Sequence, residues 1–137
     1  MLNNCNIQLT INFKDSNLDA DELEELTQSL FKQMDELDAV ETVERIREQP
    51  PRDVKAGADE LGKWVLGILK TQIPLPNLAP VMQFIFRRLS GKKVKLKAEA
   101  NGKTIELEAN STSQEEVLAL VQSLKDFAKS ASENANG

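Results

Sequence analysis

The sequence has no histidine, no tyrosine and a single cysteine, Cys5. Without an imidazole, every catalytic triad or dyad that uses histidine as its base is excluded. A metal centre built from clustered cysteine and histidine is excluded as well. One cysteine cannot close an intramolecular disulfide, and Met1-Leu2-Asn3-Asn4 has neither the basic start nor the apolar stretch of a secretion signal, so a cytoplasmic compartment is expected. Cys5 has no histidine to activate it and reads as a small structural thiol. Aromatic residues make up only 4 %. The uncharged run from Thr71 to Phe86 covers 16 residues and holds three prolines, whereas a membrane-spanning helix needs about 20.

What is present is the composition of a folding chain. Of 137 residues, 40 % are apolar and 28 % charged, too apolar for disorder and enough for one core. The reading is a single α+β domain over residues 1–129. Residues 130–137 are small and polar and are expected to form a disordered tail.

The net charge of -5 is unevenly distributed. Residues 1–60 carry -9, residues 61–97 carry +8 with no acidic side chain, and the remainder carries -4. The basic stretch can neutralise the acidic first helix within one molecule, meet the acidic part of another copy, or attract an anionic surface. Nucleic acid is not expected as a partner: the chain is acidic overall, and the aromatics near the basic residues, Trp64, Phe84 and Phe86, lie in apolar runs.

Ile7, Leu9, Ile11 and Phe13 alternate with polar residues, the period of a strand with one face on a core. Asp19 or Asp21 can cap a following helix whose apolar positions are Leu23, Leu26, Leu30, Met34 and Leu37. In Val40 to Arg47, the spacing of Val40, Val43 and Ile46 fits either a continued helix or a short strand with a bulge, and the stretch is read as an edge strand. Gln49-Pro50-Pro51-Arg52 stops regular structure. Lys55-Ala56-Gly57-Ala58 reads as a loop, and the GxxxxGK[ST] spacing of a phosphate loop is absent.

In residues 59–89, the spacing of Leu61, Trp64, Val65, Ile68 and Leu69 predicts a helix, interrupted by Pro74, Pro76 and Pro80. A second helix would carry Val81, Met82, Phe84, Ile85, Phe86 and Leu89, apolar on nearly every side, and close on Arg87 and Arg88. A helix of that kind is covered by protein or by lipid. The candidate partner or membrane surface is therefore Trp64, Leu66, Leu75, Phe84, Phe86, Arg87 and Arg88.

Val94, Leu96, Ala98 and Ala100 then alternate with charged residues, Asn101-Gly102 is the preferred pair for a two-residue turn, and Ile105, Leu107 and Ala109 return. Pairing Ala100 with Lys103 sets Ala98 against Ile105, Leu96 against Leu107, Lys97 against Glu106 and Lys95 against Glu108. Apolar meets apolar and plus meets minus, so the register is specified and the four charges read as structural. Ser113 and Glu116 have the spacing of a capping box for a last helix carrying Val117, Leu120, Val121, Leu124 and Phe127. The expected order is β-α-β-α-α-β-β-α around a mainly antiparallel sheet of about four strands.

No nucleophile, base and orienting group come together in this sequence, so a non-enzyme is expected, with no cofactor and no metal. The stretches Lys55-Ala56-Gly57-Ala58, Leu61-Gly62-Lys63-Trp64-Val65-Leu66-Gly67, Phe84-Ile85-Phe86-Arg87-Arg88, the hairpin Val94-Lys95-Leu96 to Ile105-Glu106-Leu107, and the closing helix from Glu115 carry a resemblance. Over residues 5–128 the chain resembles the effector-associated constant component family of prokaryotic conflict systems. The resemblance implies a non-enzymatic accessory or adaptor role in antiphage immunity, by protein–protein interaction with an effector such as a trypsin-like or caspase-like peptidase or an NTPase signalling module. It carries no catalytic residue. Pro74, Pro76, Pro80 and the acidic first helix depart from the family pattern. Self-association into a homo-oligomer fits the charge asymmetry, and the alternative is a membrane-acting component whose 61–89 segment engages an anionic bilayer.

Overall fold

Ile7, Leu9, Ile11 and Phe13 are all 0 % exposed, so the alternation in this stretch is that of a strand with one face wholly in the core. The computed structural model describes residues 6–13, 17–47, 64–89, 92–110 and 114–136. Cys5, the proline stop at 50–51, the Lys55–Ala58 loop and the Ser113 cap lie outside them. The elements are β1 (Asn6–Asn12), α1 (Ala20–Asp35), β2 (Thr42–Arg47), β3 (Trp64–Pro74), a 3-10 turn (Leu75–Asn77), α2 (Leu78–Arg88), β4 (Lys93–Ala100), β5 (Lys103–Asn110) and α3 (Gln114–Asn136). The five described strands form one sheet of order β2-β3-β1-β4-β5, antiparallel throughout. This is an α+β fold with one strand more than expected.

The additional strand is β3, where a helix was expected over 61–69. Leu69, Thr71 and Ile73 are buried and alternate with Lys70 and Gln72. The helical spacing upstream arises because Gly67 takes φ +77° and the β2–β3 register shifts between Arg45 and Arg47, so the period of two is broken at that point. Pairing decides the outcome. β1 is the central strand, and its second edge needs hydrogen-bond partners that a helix cannot supply. β3 pairs with it from Asn6↔Pro74 to Asn12↔Ile68, and the Phe13 N–H donates to the Gly67 carbonyl at 2.8 Å.

Asp19 caps α1 in a reciprocal capping box: its carboxylate accepts the Glu22 N–H at 2.8 Å, and the Glu22 carboxylate accepts the Asp19 N–H at 3.2 Å. Such a cap contributes about 1 kcal/mol. Leu23, Thr27, Leu30 and Met34 make the buried face of the helix. The Thr27 hydroxyl donates to the Leu23 carbonyl at 2.6 Å and accepts the Gly67 N–H at 2.9 Å, which ties α1 to the irregular point of β3. A second wholly buried threonine, Thr71, donates to the Thr42 carbonyl at 2.6 Å.

Helix α2 buries Leu78, Val81, Met82, Ile85 and Phe86 and exposes Pro80, Arg87 and Arg88. Burying one large aliphatic or aromatic side chain contributes roughly 1.5–3 kcal/mol, so the core accounts for this helix's apolar character. Asn77 anchors its start by donating to the Ala39 carbonyl at 3.0 Å. The β4–β5 hairpin has the register read from the sequence, from Ala100↔Lys103 to Lys95↔Glu108. Its turn holds Asn101 at φ +50° and Gly102 at φ +79°, the left-handed pair that a two-residue hairpin requires. Helix α3 buries Val117, Leu120, Val121, Leu124 and Ala128, continues past residue 129 to Asn136, and buries Ala131. All three helices pack on one face of the sheet: α1 on β2 and β3, α2 on β3 and α3, and α3 on β4 and β5.

Candidate interaction surface

Because the described helices occupy one face, the side chains that alternate away from the core form a second face across all five strands, open among the described residues. The ladders set them in rows. One row runs Glu44, Lys70, Thr10, Lys97, Glu106. The next runs Ile68, Asn12, Lys95, Glu108, and a third runs Thr42, Gln72, Gln8, Glu99, Thr104. The central strand thus presents short uncharged groups, flanked by lysines on β3 and β4 and, beyond them, by acids on β2 and β5. Thr10, Asn12 and Ile68, together with Lys95, Lys97 and Glu106, line a shallow depression of about 520 Å³.

Neighbouring strands lie about 4.8 Å apart, so the Lys70 and Lys97 backbones stand roughly 10 Å apart across Thr10. A carboxylate placed over Thr10 would meet an ammonium group on either side, with the Thr10 hydroxyl as a further donor. The acids of β2 and β5 would meet cations at the rim. The chemistry offered is electrostatic and hydrogen-bonding recognition of a flat polar surface. Among the described residues, no group of three or more metal-ligating side chains is arranged to hold an ion.

The two sheet edges differ. On β2, Arg45 points inward beneath α1 with its side chain 4 % exposed. Its Nη1 donates to Glu24 Oε2 at 2.8 Å and to Gln28 Oε1 at 3.1 Å, and its Nη2 donates to Glu24 Oε1 at 2.6 Å. The hydrogen bond from Arg45 holds the Glu24 carboxyl below its ordinary value of 4.5; partial desolvation opposes this and the guanidinium charge adds to it. On β5, the inward residues Ile105, Leu107 and Ala109 are apolar and half-buried.

The residues singled out in the sequence as a candidate surface do not form one patch. Phe86 is 4 % exposed and belongs to the core. Phe84 is half-buried beneath Arg88, whose guanidinium carbon lies 3.5 Å from the ring centroid. Arg88 also donates through Nε to Gln33 Oε1 of α1 and through Nη1 to the Phe84 carbonyl at 3.3 Å. Arg87 is exposed beside this pair. Leu66 and Leu75 are half-buried near opposite ends of β3, and Trp64 enters the ladder opposite Arg47. Only Phe84, Arg87 and Arg88 stay together, at the end of α2.

Sequence reasoning missed Lys70 and Thr10 as neighbours of the hairpin charges. The signal was the alternation Leu69-Lys70-Thr71-Gln72-Ile73, masked by the helical spacing upstream. Nor do Lys70, Lys95 and Lys97 lie against acidic α1: they stand on the opposite face of the sheet, and their ladder partners on the flanking strands are Glu44, Glu108 and Glu106. Among the described residues, no helix is long and apolar enough to cross a membrane. Comparison of the chain with protein-family models, curated proteins and solved structures finds no match.

Proposed function

We propose that the chain is a non-enzymatic adaptor of a prokaryotic conflict system that binds a protein effector, such as a trypsin-like or caspase-like peptidase, on the open face of its sheet. The observation that carries this reading is the row Glu44, Lys70, Thr10, Lys97, Glu106, which spans every strand on the face that no described helix covers. Broad polar faces of mixed charge select partners by complementarity and raise association rates more than they raise raw affinity. The resemblance of the hairpin and the α2 terminus to effector-associated components supplies the class of partner. Self-association through the same face belongs to this reading when the second copy is offset by one strand, which sets Lys70 of one copy against Glu106 of the other.

Engagement of a bilayer by residues 61–89 has less support, since Leu69, Ile73, Leu78, Met82 and Ile85 lie inside the core and would have to leave it. The test is titration calorimetry of the purified chain against trypsin-like and caspase-like peptidases and NTPase signalling modules from the same genome, with the wild type and a Lys70→Glu/Lys97→Glu variant. Binding that the variant weakens at least tenfold is expected. Failure of every such effector to bind would overturn the adaptor reading, and binding that ignores the variant would move the site off this face.

A further inference from the structure

Resting on the adaptor reading but testable without it, we infer that the outer edge of β5 is a docking strand for an extended protein segment in which apolar residues alternate with lysine or arginine. Three observations lead there.

First, β5 lacks the devices that close the other edge of the sheet. β2, at the other edge, is six residues long, its ladder is broken between Arg45 and Arg47, and it turns a charged side chain inward. Each of these discourages another strand from adding. β5 is eight residues long, keeps unbroken register from Lys103 to Asn110, and contains no proline. Among the described residues nothing pairs with its outer side.

Second, the hairpin decides which backbone groups face outward. In a two-residue turn the closing pair, Ala100 and Lys103, is hydrogen-bonded, and hydrogen-bonded pairs alternate from there. Ile105, Leu107 and Ala109 therefore bond to β4. Thr104, Glu106 and Glu108 direct their N–H and carbonyl groups to the open edge, ready for an incoming strand.

Third, the side chains specify the occupant. Ile105, Leu107 and Ala109 are half-buried whereas their β4 partners Ala98, Leu96 and Val94 are buried, so an added strand with apolar residues on that side would complete the core rim. On the open face, Glu106 and Glu108 present acids. A second copy of β5 does not fit: antiparallel registers with the longest overlap set Glu106 against itself or against Glu108, and like charges directly opposite are destabilising. A basic alternating strand does fit, and β4 is the template. Its Lys-Val-Lys-Leu-Lys run places Lys97 and Lys95 opposite Glu106 and Glu108 and its apolar residues on the core side.

The experiment uses the full chain and two synthetic peptides, one Lys-Val-Lys-Leu-Lys-Val-Lys and one with glutamate at each lysine position, read by calorimetry and amide hydrogen exchange. The lysine peptide is expected to bind at least tenfold more tightly and to slow exchange at Thr104, Glu106 and Glu108 at least tenfold, with little change at Ile105 and Leu107. Glu106→Thr, which keeps the outward N–H, should weaken binding severalfold. Glu106→Pro, which removes that N–H without touching the β4 ladder, should abolish it. A Glu106→Lys/Glu108→Lys variant should reverse the peptide preference. Equal binding of the two peptides, protection outside β5, or a proline variant that binds like the threonine variant would overturn the inference. Effector binding unchanged by Glu106→Pro would remove β5 as the partner's strand while leaving the adaptor reading intact. A chain that takes the lysine peptide but no effector would do the reverse.

Discussion

Replacing Thr27 by valine tests how α1 is held to the sheet. The two side chains have nearly the same shape, so the substitution removes the hydroxyl and little else. Thr27 is wholly buried, and its hydroxyl is the acceptor for the Gly67 N–H at 2.9 Å. In Thr27→Val that buried donor has no acceptor, which costs about 1–3 kcal/mol. The Leu23 carbonyl also loses its bond to the hydroxyl, but as an interior helix carbonyl it keeps a backbone N–H partner. The extra buried methyl returns roughly 0.8 kcal/mol. A net loss of about 1.5 kcal/mol is expected, a drop in Tm of roughly 6 °C for a chain of this length. Thr27→Ser keeps both hydrogen bonds, loses one methyl, and should cost about 1 kcal/mol. The assay is thermal and urea unfolding followed by circular dichroism, with amide exchange at Gly67. Exchange at Gly67 should accelerate in the valine variant and stay slow in the serine variant. A valine variant as stable as wild type, or with Gly67 still protected, would refute the account of the α1–β3 link.

Gly67→Ala and Gly102→Ala each place a side chain at a positive φ, +77° and +79° respectively, and should each cost about 1–2 kcal/mol in urea unfolding; at Gly102 a Cβ would meet nothing within 4 Å, so the penalty there is backbone strain alone. Glu24 has its folded-state value depressed by Arg45, so the pair contributes stability above the ordinary carboxyl value and loses it as pH falls through the lower folded value. Wild type should therefore lose more stability than Glu24→Gln between about pH 6 and pH 3; Glu24 is 44 % exposed, which keeps the difference to about 1 kcal/mol or less after solvent screening. Phe86→Ala should destabilise by about 3–5 kcal/mol by opening the core, whereas Arg87→Glu, on an exposed position, should leave Tm within about 2 °C; equal effects of the two in thermal unfolding would contradict their placement.

The parts of the fold that were legible share a local cause. β1 and the β4–β5 hairpin show uninterrupted alternation, and the turn pair Asn101-Gly102 makes only one register consistent with both the apolar and the charged pairs. Asp19 is a cap because Glu22 lies at the spacing that closes a capping box. β3 was misread because a glycine at positive φ interrupts its alternation, so apolar residues on either side of the irregularity fall at helical spacing. The helical reading of residues 61–69 also shaped the candidate surface, which drew on Trp64 to Arg88 as paired helices; Leu66 instead lies on β3 and Phe86 in the core, and the hairpin charges, paired with each other in the sequence, continue across β1 and β3.

The sequence by itself determined the strand face of β1, the hairpin and its register, and the exclusion of histidine chemistry, and it narrowed the α1 cap to Asp19 or Asp21, because each depends on composition or on residues a few positions apart. Only the tertiary structure decided that β1 lies at the centre, that β3 rather than a helix covers its second edge, and that the three described helices share one face, with no described helix on the other. Periodicity states which side of a strand is apolar but not which strand will lie beside it. That choice is made by burying the apolar faces together while pairing every central backbone N–H and carbonyl, a condition met among segments far apart in the chain.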